Sequence, residues 1–425
     1  MRAGFRQSVA GMTPRFVPRG ATALIPGQQR RVRIGILDHT GPILGGAQLV
    51  AAHMAAILSQ HWEVELIHGG KPHDLASLVA AFSLDLGKVK ERTIPELSDS
   101  FGFPGLRSLM QQGGDSSKML TRGYDLFIYS GHGIPPPCFA KRGLIYCHFP
   151  FEMSPLTALE ADGRRARRNW AIRSIQWEAY QWAWRRRMRG YRQVLANSQF
   201  TADWILRRWG RSAEVLYPPV DLALTAAGKE NLILSVGRFT GDLRSKGQLE
   251  QVRAFRNFLP RVKEPWTLRI VGTCRESVKD QDYLTAVQDE ARGLPVEFLV
   301  NPDRENILRS LAKAKLFWHT TGLAVDELKR PELVEHFGIA TVEAMRAGCV
   351  PIVVESGGQR EIIENGVNGF LVKDLSELIE KTAALAYDGG LLTLLSGRAS
   401  QRSMVFAGDC FDQRISSVVS DCLER

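Results

Sequence analysis

Short apolar runs alternate with helical stretches along this chain, and the alternation breaks and restarts once, at Tyr217-Pro218-Pro219. Val32 to Leu37 reads as a strand. A glycine-containing loop, Thr40 to Gly46, follows it, and then a helix in which Val50, Met54, Ile57 and Leu58 recur at helical spacing. Glu63 to Ile67, Asp125 to Tyr129, Leu144 to Cys147 and Gln193 to Ala196 read as further strands, and Gly210 stops the helix after the last of them. Phe101 to Gly123, rich in Gly, Ser and Gln, reads as a mobile loop. The two prolines then fix an extended turn. Beyond them the pattern restarts at Leu232 to Val236 and continues through Leu268 to Val271, Val296 to Val300, Leu316 to Trp318 and Val350 to Val354. Short buried strands separated by helices imply parallel sheets covered on both faces. The expected class is therefore α/β, with two doubly wound, Rossmann-like domains facing across a cleft, and ligands beyond the carboxyl ends of the strands.

The boundaries follow from that break. Residues 1–30 read as a basic, disordered tail, 31–217 as the first domain, 218–405 as the second, and 406–425 as a C-terminal helix able to pack back on the first domain. A length of 425 residues suits two domains of ordinary size. No run of eighteen apolar residues occurs and the start of the chain has no apolar signal core, so a cytoplasmic protein is expected. Six cysteines, none in a CxxC pair, indicate neither zinc nor a disulfide framework.

The net charge is +10, and it is concentrated: between Arg164 and Arg192 there are ten Arg and a single acid, Glu178. That concentration points to an acidic partner. Trp170, Trp177, Trp184 and Tyr191 recur every seven residues and so are expected on one helical face. Two readings stay open: the stripe packs on the first domain with the arginines solvated, or the helix lies beside an anionic membrane surface with Trp at headgroup depth. No known nucleic-acid module is present, so a nucleic-acid partner is not expected.

The strongest chemical signal is Glu335-His336-Phe337-Gly338-Ile339-Ala340-Thr341-Val342-Glu343. A helix starting near Ile339 leaves the amides of Phe337 to Ala340 as unpaired donors, a terminus that binds phosphate. Glu343, about one turn inside, is placed to accept ribose hydroxyls, and Glu335 to face a sugar. A capped helix with a Glu in its first turn is the plain alternative. A second piece adds weight: after the strand ending at Val236 come Gly237-Arg238 and then Lys246-Gly247. Arg can grip a diphosphate bidentately and Lys adds a point charge. No D-x-D set stands in a loop after a strand, so no metal is expected, and these cations with the helix start would meet the charge of a leaving diphosphate.

Together, the Gly-Arg…Lys-Gly pair and the two glutamates eight positions apart resemble the donor half of GT4-type glycosyltransferases of the GT-B fold. His319-Thr320, Glu335 to Ile339 and Ser356-Gly357-Gly358 are similar to the mannosyltransferases of lipid-linked oligosaccharide assembly, with extra residues between Thr321 and Val334. The resemblance implies that Gly45 and Gly46 let the backbone approach the donor phosphates and that His148, closing a strand, contacts the transferred sugar. It also implies retention of anomeric configuration, a GDP- or UDP-linked sugar donor (mannose the lean), no metal cofactor, and a glycan or lipid-linked acceptor. On that basis His148, Arg238, Lys246 and Glu335 are the expected catalytic set. Gly45, Gly46, Phe337, Gly338, Ile339 and Glu343, with Arg238 and Lys246, are the expected donor site. Asn197 to Thr201 resembles a family turn, and Ser198 or Thr201 is read there as a helix cap. Competing readings are a two-domain dehydrogenase, which lacks a GxGxxG after its first strand, and a non-catalytic or nucleic-acid-binding protein built on the Arg-rich helix.

Overall fold

The structure, a computed structural model, describes residues 31–40, 44–71, 73–95, 115–152, 170–220, 228–242 and 245–424. The tail 1–30, part 101–114 of the stretch read as a mobile loop, and residues 164–169 of the Arg-rich segment lie outside the described residues. The rest of that stretch corrects the loop reading, because Asp115–Thr121 is a helix.

Two parallel sheets carry the fold. The first holds β1 (Arg33–His39), β2 (Glu63–His68), β3 (Lys90–Thr93), β4 (Leu126–Gly131), β5 (Arg142–Cys147), β6 (Tyr191–Ala196) and β7 (Glu214–Val215), in the order β3-β2-β1-β4-β5-β6-β7. The second holds β8 (Glu230–Val236), β9 (Thr267–Gly272), β10 (Val296–Val300), β11 (Ala314–His319), β12 (Val350–Val354) and β13 (Phe370–Val372), in the order β10-β9-β8-β11-β12-β13. Every pairing is parallel. Central strands are apolar on both faces: all six residues of β4 and all five of β12 are buried. The edge strand β3, Lys-Glu-Arg-Thr, is charged instead, which discourages pairing with another chain.

The chain passes between the sheets twice, and the two passages are tied together. The Val220 amide donates to the Phe406 carbonyl at 2.9 Å. Tyr217 stacks on Phe337 at 5.6 Å and meets Phe406 edge-on at 5.1 Å. The return passage leads into the helix Gly408–Glu424, whose Phe411, Ile415, Val418, Val419 and Cys422 lie in the same core as β1 and the helix Gly46–Leu58. His53 Nε2 and Asp412 Oδ1, 2.7 Å apart, join those two helices.

The Arg-rich segment requires one correction. The helix ends at Met188 and Tyr191 opens β6, so Tyr191 does not share the helical stripe. Trp184 and Met188 pack into the core with Trp209. Trp182 lies outside, 56% exposed, with the Arg186 guanidinium 5.5 Å from its ring. Arg185, Arg186 and Arg189 are exposed beside it, whereas Arg187 is buried and donates to the Pro135 carbonyl at 3.3 Å.

Candidate active site

The expected site residues all follow the carboxyl ends of strands, because a parallel sheet delivers every strand-to-helix loop to one edge. His148 follows β5, Gly237 and Arg238 follow β8, Glu335 follows β11 by way of its long loop, and Ser356-Gly357-Gly358 follows β12. The helix Ile339–Arg346 begins at the residue the sequence suggested, behind Gly338 at φ +118°. A side chain at Gly338 would be strained there and would also press on Gln359.

Lys246 Nζ donates to Glu335 Oε2 at 2.7 Å, and His319 Nε2 reaches the same oxygen at 2.9 Å. Burial alone would raise the Glu335 carboxyl. The Lys246 ammonium and the His319 ring together override that and hold it well below the usual carboxylate range. Glu335 is therefore an ionised acceptor throughout the neutral range. In the sequence His319 is marked only by the resemblance, and its strand-end position before Thr320 and Thr321 is the one signal for a role here. Gly237 makes room for Lys246, since a Cβ there would meet Lys246 Cγ at 2.8 Å. Arg238 is exposed next to it, and its carbonyl accepts from Gln248 Nε2 at 3.0 Å.

The Glu335-to-Phe337 turn rests on the glycines after β12. The Gly358 amide donates to the Glu335 carbonyl at 2.9 Å, and a Cβ on Gly358 would sit 2.6 Å from the Phe337 Cα. Phe337 itself is 2% exposed and packs in the second domain's core, so only its backbone faces the helix start. Glu343 is nearly buried, and Arg304 Nη2 donates to its Oε1 at 2.6 Å. Sequence reading missed Arg304, which opens the helix after β10 and belongs to no motif.

The first domain meets this turn directly. Gly46 opens the helix Gly46–Leu58 and abuts Ile339, so that a Cβ there would lie 2.4 Å from Ile339 Cδ1. Two helix starts thus face each other, with Gly45 in extended backbone before the first. Phe149 stacks on His336 with ring centroids 3.9 Å apart and nearly parallel. Burial pushes His336 down to about 3, with the His132 charge adding to it. His148 Nε2 lies 3.0 Å from Ser130 Oγ, and burial, then His132 and His336, push His148 well below its ordinary value. Both rings are neutral at working pH, so neither brings a cation to the cleft. Ser198 caps the helix Gln199–Trp209 by accepting from the Thr201 amide at 3.0 Å, and its hydroxyl donates to the His336 carbonyl at 2.6 Å. Glu361 of the second domain accepts from the Gln199 and Phe200 amides at 2.7 and 2.8 Å, a carboxylate at a helix N-terminus.

Comparison with known proteins agrees with this architecture. Residues 44–224 match Glycosyltransferase Family 4 and residues 223–390 match Glycosyl transferases group 1. The human GDP-Man:Man(3)GlcNAc(2)-PP-Dol alpha-1,2-mannosyltransferase is 29% identical over 231 residues, 49% of this chain and 44% of that protein. The mouse alpha-1,3/1,6-mannosyltransferase ALG2 is 29% identical over 270 residues, 57% of this chain and 59% of that protein. The chain thus spans about half the length of the curated relatives it matches. Among solved structures, Anabaena HepE in complex with UDP and glucose superposes with a TM-score of 0.62 at 19% identity, covering 92% of this chain and all of that one. A glycosyltransferase from Rickettsia africae gives 0.66 at 14% identity, with 93% and 100% covered. Two family matches that meet at the linker between the sheets, mannosyltransferase relatives and neighbours of the same two-sheet architecture place this chain in the GT4-type glycosyltransferases of the GT-B fold.

Proposed function

We propose that the chain transfers a mannosyl group from GDP-mannose to a lipid-linked glycan, with retention of configuration and without a metal. The observation that carries this reading is the ionised Glu335, held by Lys246 and His319 beside the start of the Ile339 helix and opposite Gly45 and Gly46. Both bonds to Glu335 fall on Oε2, and Oε1 has no partner among the described residues, so it is available to hold a sugar hydroxyl. The facing helix starts suit the pyrophosphate. Arg238 and Lys246 supply the positive charge that a departing nucleoside diphosphate requires. Glu343, with Oε1 fixed by Arg304, offers Oε2 to the ribose.

The bond between the anomeric carbon and the β-phosphate oxygen breaks as the acceptor oxygen bonds to that carbon on the same face. The acceptor's proton passes to a phosphate oxygen, and GDP leaves. His148 and Glu335 position the sugar and form no covalent bond to it. The lean toward GDP-mannose and a diphosphate-linked acceptor comes from the names of the relatives. The test is transfer from GDP-mannose and from UDP-sugars to a phytanyl-diphosphate glycan, with and without EDTA, and product anomers read by NMR. An α-linked mannoside formed equally well in EDTA is expected. A β-linked product, activity with UDP-sugars alone, or loss in EDTA would each overturn the corresponding part.

The exposed Trp182 and Arg185, Arg186 and Arg189 support a second element of the proposal: this face meets the anionic membrane that bears the acceptor. Each basic residue at such a surface contributes about 1 kcal/mol, so replacing all three by serine is expected to weaken binding to phosphatidylserine-containing vesicles at least about tenfold. Unchanged, salt-insensitive partitioning would rule this surface out. A cytoplasmic site of action is proposed on the same reading.

A further inference from the structure

We propose that Asp38 and His73 form a distal acceptor subsite, in which His73 Nε2 accepts a hydrogen bond from a hydroxyl of a glycan unit beyond the one that attacks. The inference rests on the glycan acceptor proposed above. Asp38 is the penultimate residue of β1 and is 2% exposed; His73 lies in the loop after β2 and is 6% exposed. Asp38 Oδ2 stands 3.0 Å from His73 Nδ1, and Thr40 Oγ1 donates to Oδ1. With both carboxylate oxygens engaged as acceptors, the neutral His73 ring carries its proton on Nδ1 and presents Nε2 as a lone-pair acceptor. That nitrogen is buried and has no hydrogen-bond partner among the described residues. Buried polar atoms are rarely left so, and an unsatisfied one asks for a specific explanation.

Position and charge narrow the occupant. The pair stands over β1 and β2 at the carboxyl edge of the first sheet, the edge that also bears His148. His148 follows β5, two strands from β1 and three from β2, or roughly 10–15 Å away at the usual strand spacing. That exceeds the reach of one sugar ring, so the dyad does not touch the attacking hydroxyl if His148 contacts the transferred sugar. The Asp38 carboxylate repels an anion, which disfavours phosphate. His68, the other ring beside Asp38, has its Nε2 3.1 Å from Glu91, and no three candidate ligands converge on a metal among the described residues. A neutral donor, such as a saccharide hydroxyl, fits. The His73 side chain keeps 8% exposure, almost none of it on Nε2, so the ring must turn toward solvent for the hydroxyl to reach that nitrogen.

The experiment compares wild type with His73→Phe and His73→Gln on phytanyl-diphosphate chitobiose bearing one mannose or three. For His73→Phe we expect about a tenfold rise in KM for the longer acceptor. Its kcat, the KM for donor and the KM for the shorter acceptor should stay within about twofold. His73→Gln, which keeps an acceptor atom, should recover most of the loss. Equal losses on both acceptors, or a loss that follows a lowered melting temperature and is not recovered by glutamine, would overturn the subsite. Failure of the wild type to transfer to either acceptor would instead overturn the function on which the subsite rests.

Discussion

Replacing Lys246 by methionine is expected to lower transfer about a hundredfold or more, as the loss of a charge-stabilising donor does at other sites. Methionine keeps the volume, so the backbone around Gly237 need not move. The variant removes both the ammonium proposed to face the leaving phosphates and one of the two partners that keep Glu335 ionised. A stability cost of about 1–3 kcal/mol should accompany it, below that of a fully buried broken pair because each side chain is about one-fifth exposed. The pH dependence gives a sharper readout. In the wild type the Glu335 carboxyl is depressed, so it binds no proton between pH 5 and 8 and this group imposes no slope. Without Lys246, burial raises it, and residual activity should decline as pH falls from 7 to 5. A variant whose profile stays parallel to that of the wild type would show that Lys246 does not govern Glu335.

Gly357→Ala should unfold the same turn from beneath. Gly357 sits at φ +53°, and a Cβ there would lie 2.1 Å from the Glu335 carbonyl oxygen, which is backbone and cannot swing aside. Left-handed strain of about 1–2 kcal/mol adds to the overlap, for a total of about 2–4 kcal/mol. The displaced Glu335 should also reduce transfer at least tenfold. Gly210→Ala is the control: at φ +63° it bears the strain, but nothing lies within 4 Å of its added carbon. Chemical denaturation of both variants checks the claim, and equal midpoints would mean that Glu335 does not rest on Gly357.

The two sheets were legible because their central strands are uniformly apolar and short, as in β4 and β12, and because Pro218-Pro219 interrupts the series between them. Elements without that pattern were not legible. The edge strand β3 is charged, β7 and β13 are only two and three residues long, and Asp115–Thr121 lies in a polar stretch. In the site, the order of Arg238, Lys246, Glu335 and Glu343 could be read, since the first three occupy strand-end loops and Glu343 lies one turn inside the helix that such a loop opens. Their partners could not. Arg304 stands 39 positions from Glu343, and His73 stands 35 from Asp38. Such pairs are created by strand order, which no local spacing encodes. The repeat of seven failed at Tyr191 because Gly190, after the Met188 end, releases the chain into β6.

The helix Gly408–Glu424 has a consequence for how the protein is made. Five of its side chains fill the core that β1 and the Gly46–Leu58 helix begin. The residues translated first therefore wait for those translated after position 407 before their interior is complete, while the intervening second sheet has all its strands by Val372. During synthesis the middle of the chain is expected to reach its native packing before the beginning does, reversing the usual N-terminal-first order. A ribosome stalled before this helix emerges should carry a protease-resistant second domain behind a still-cleavable first one.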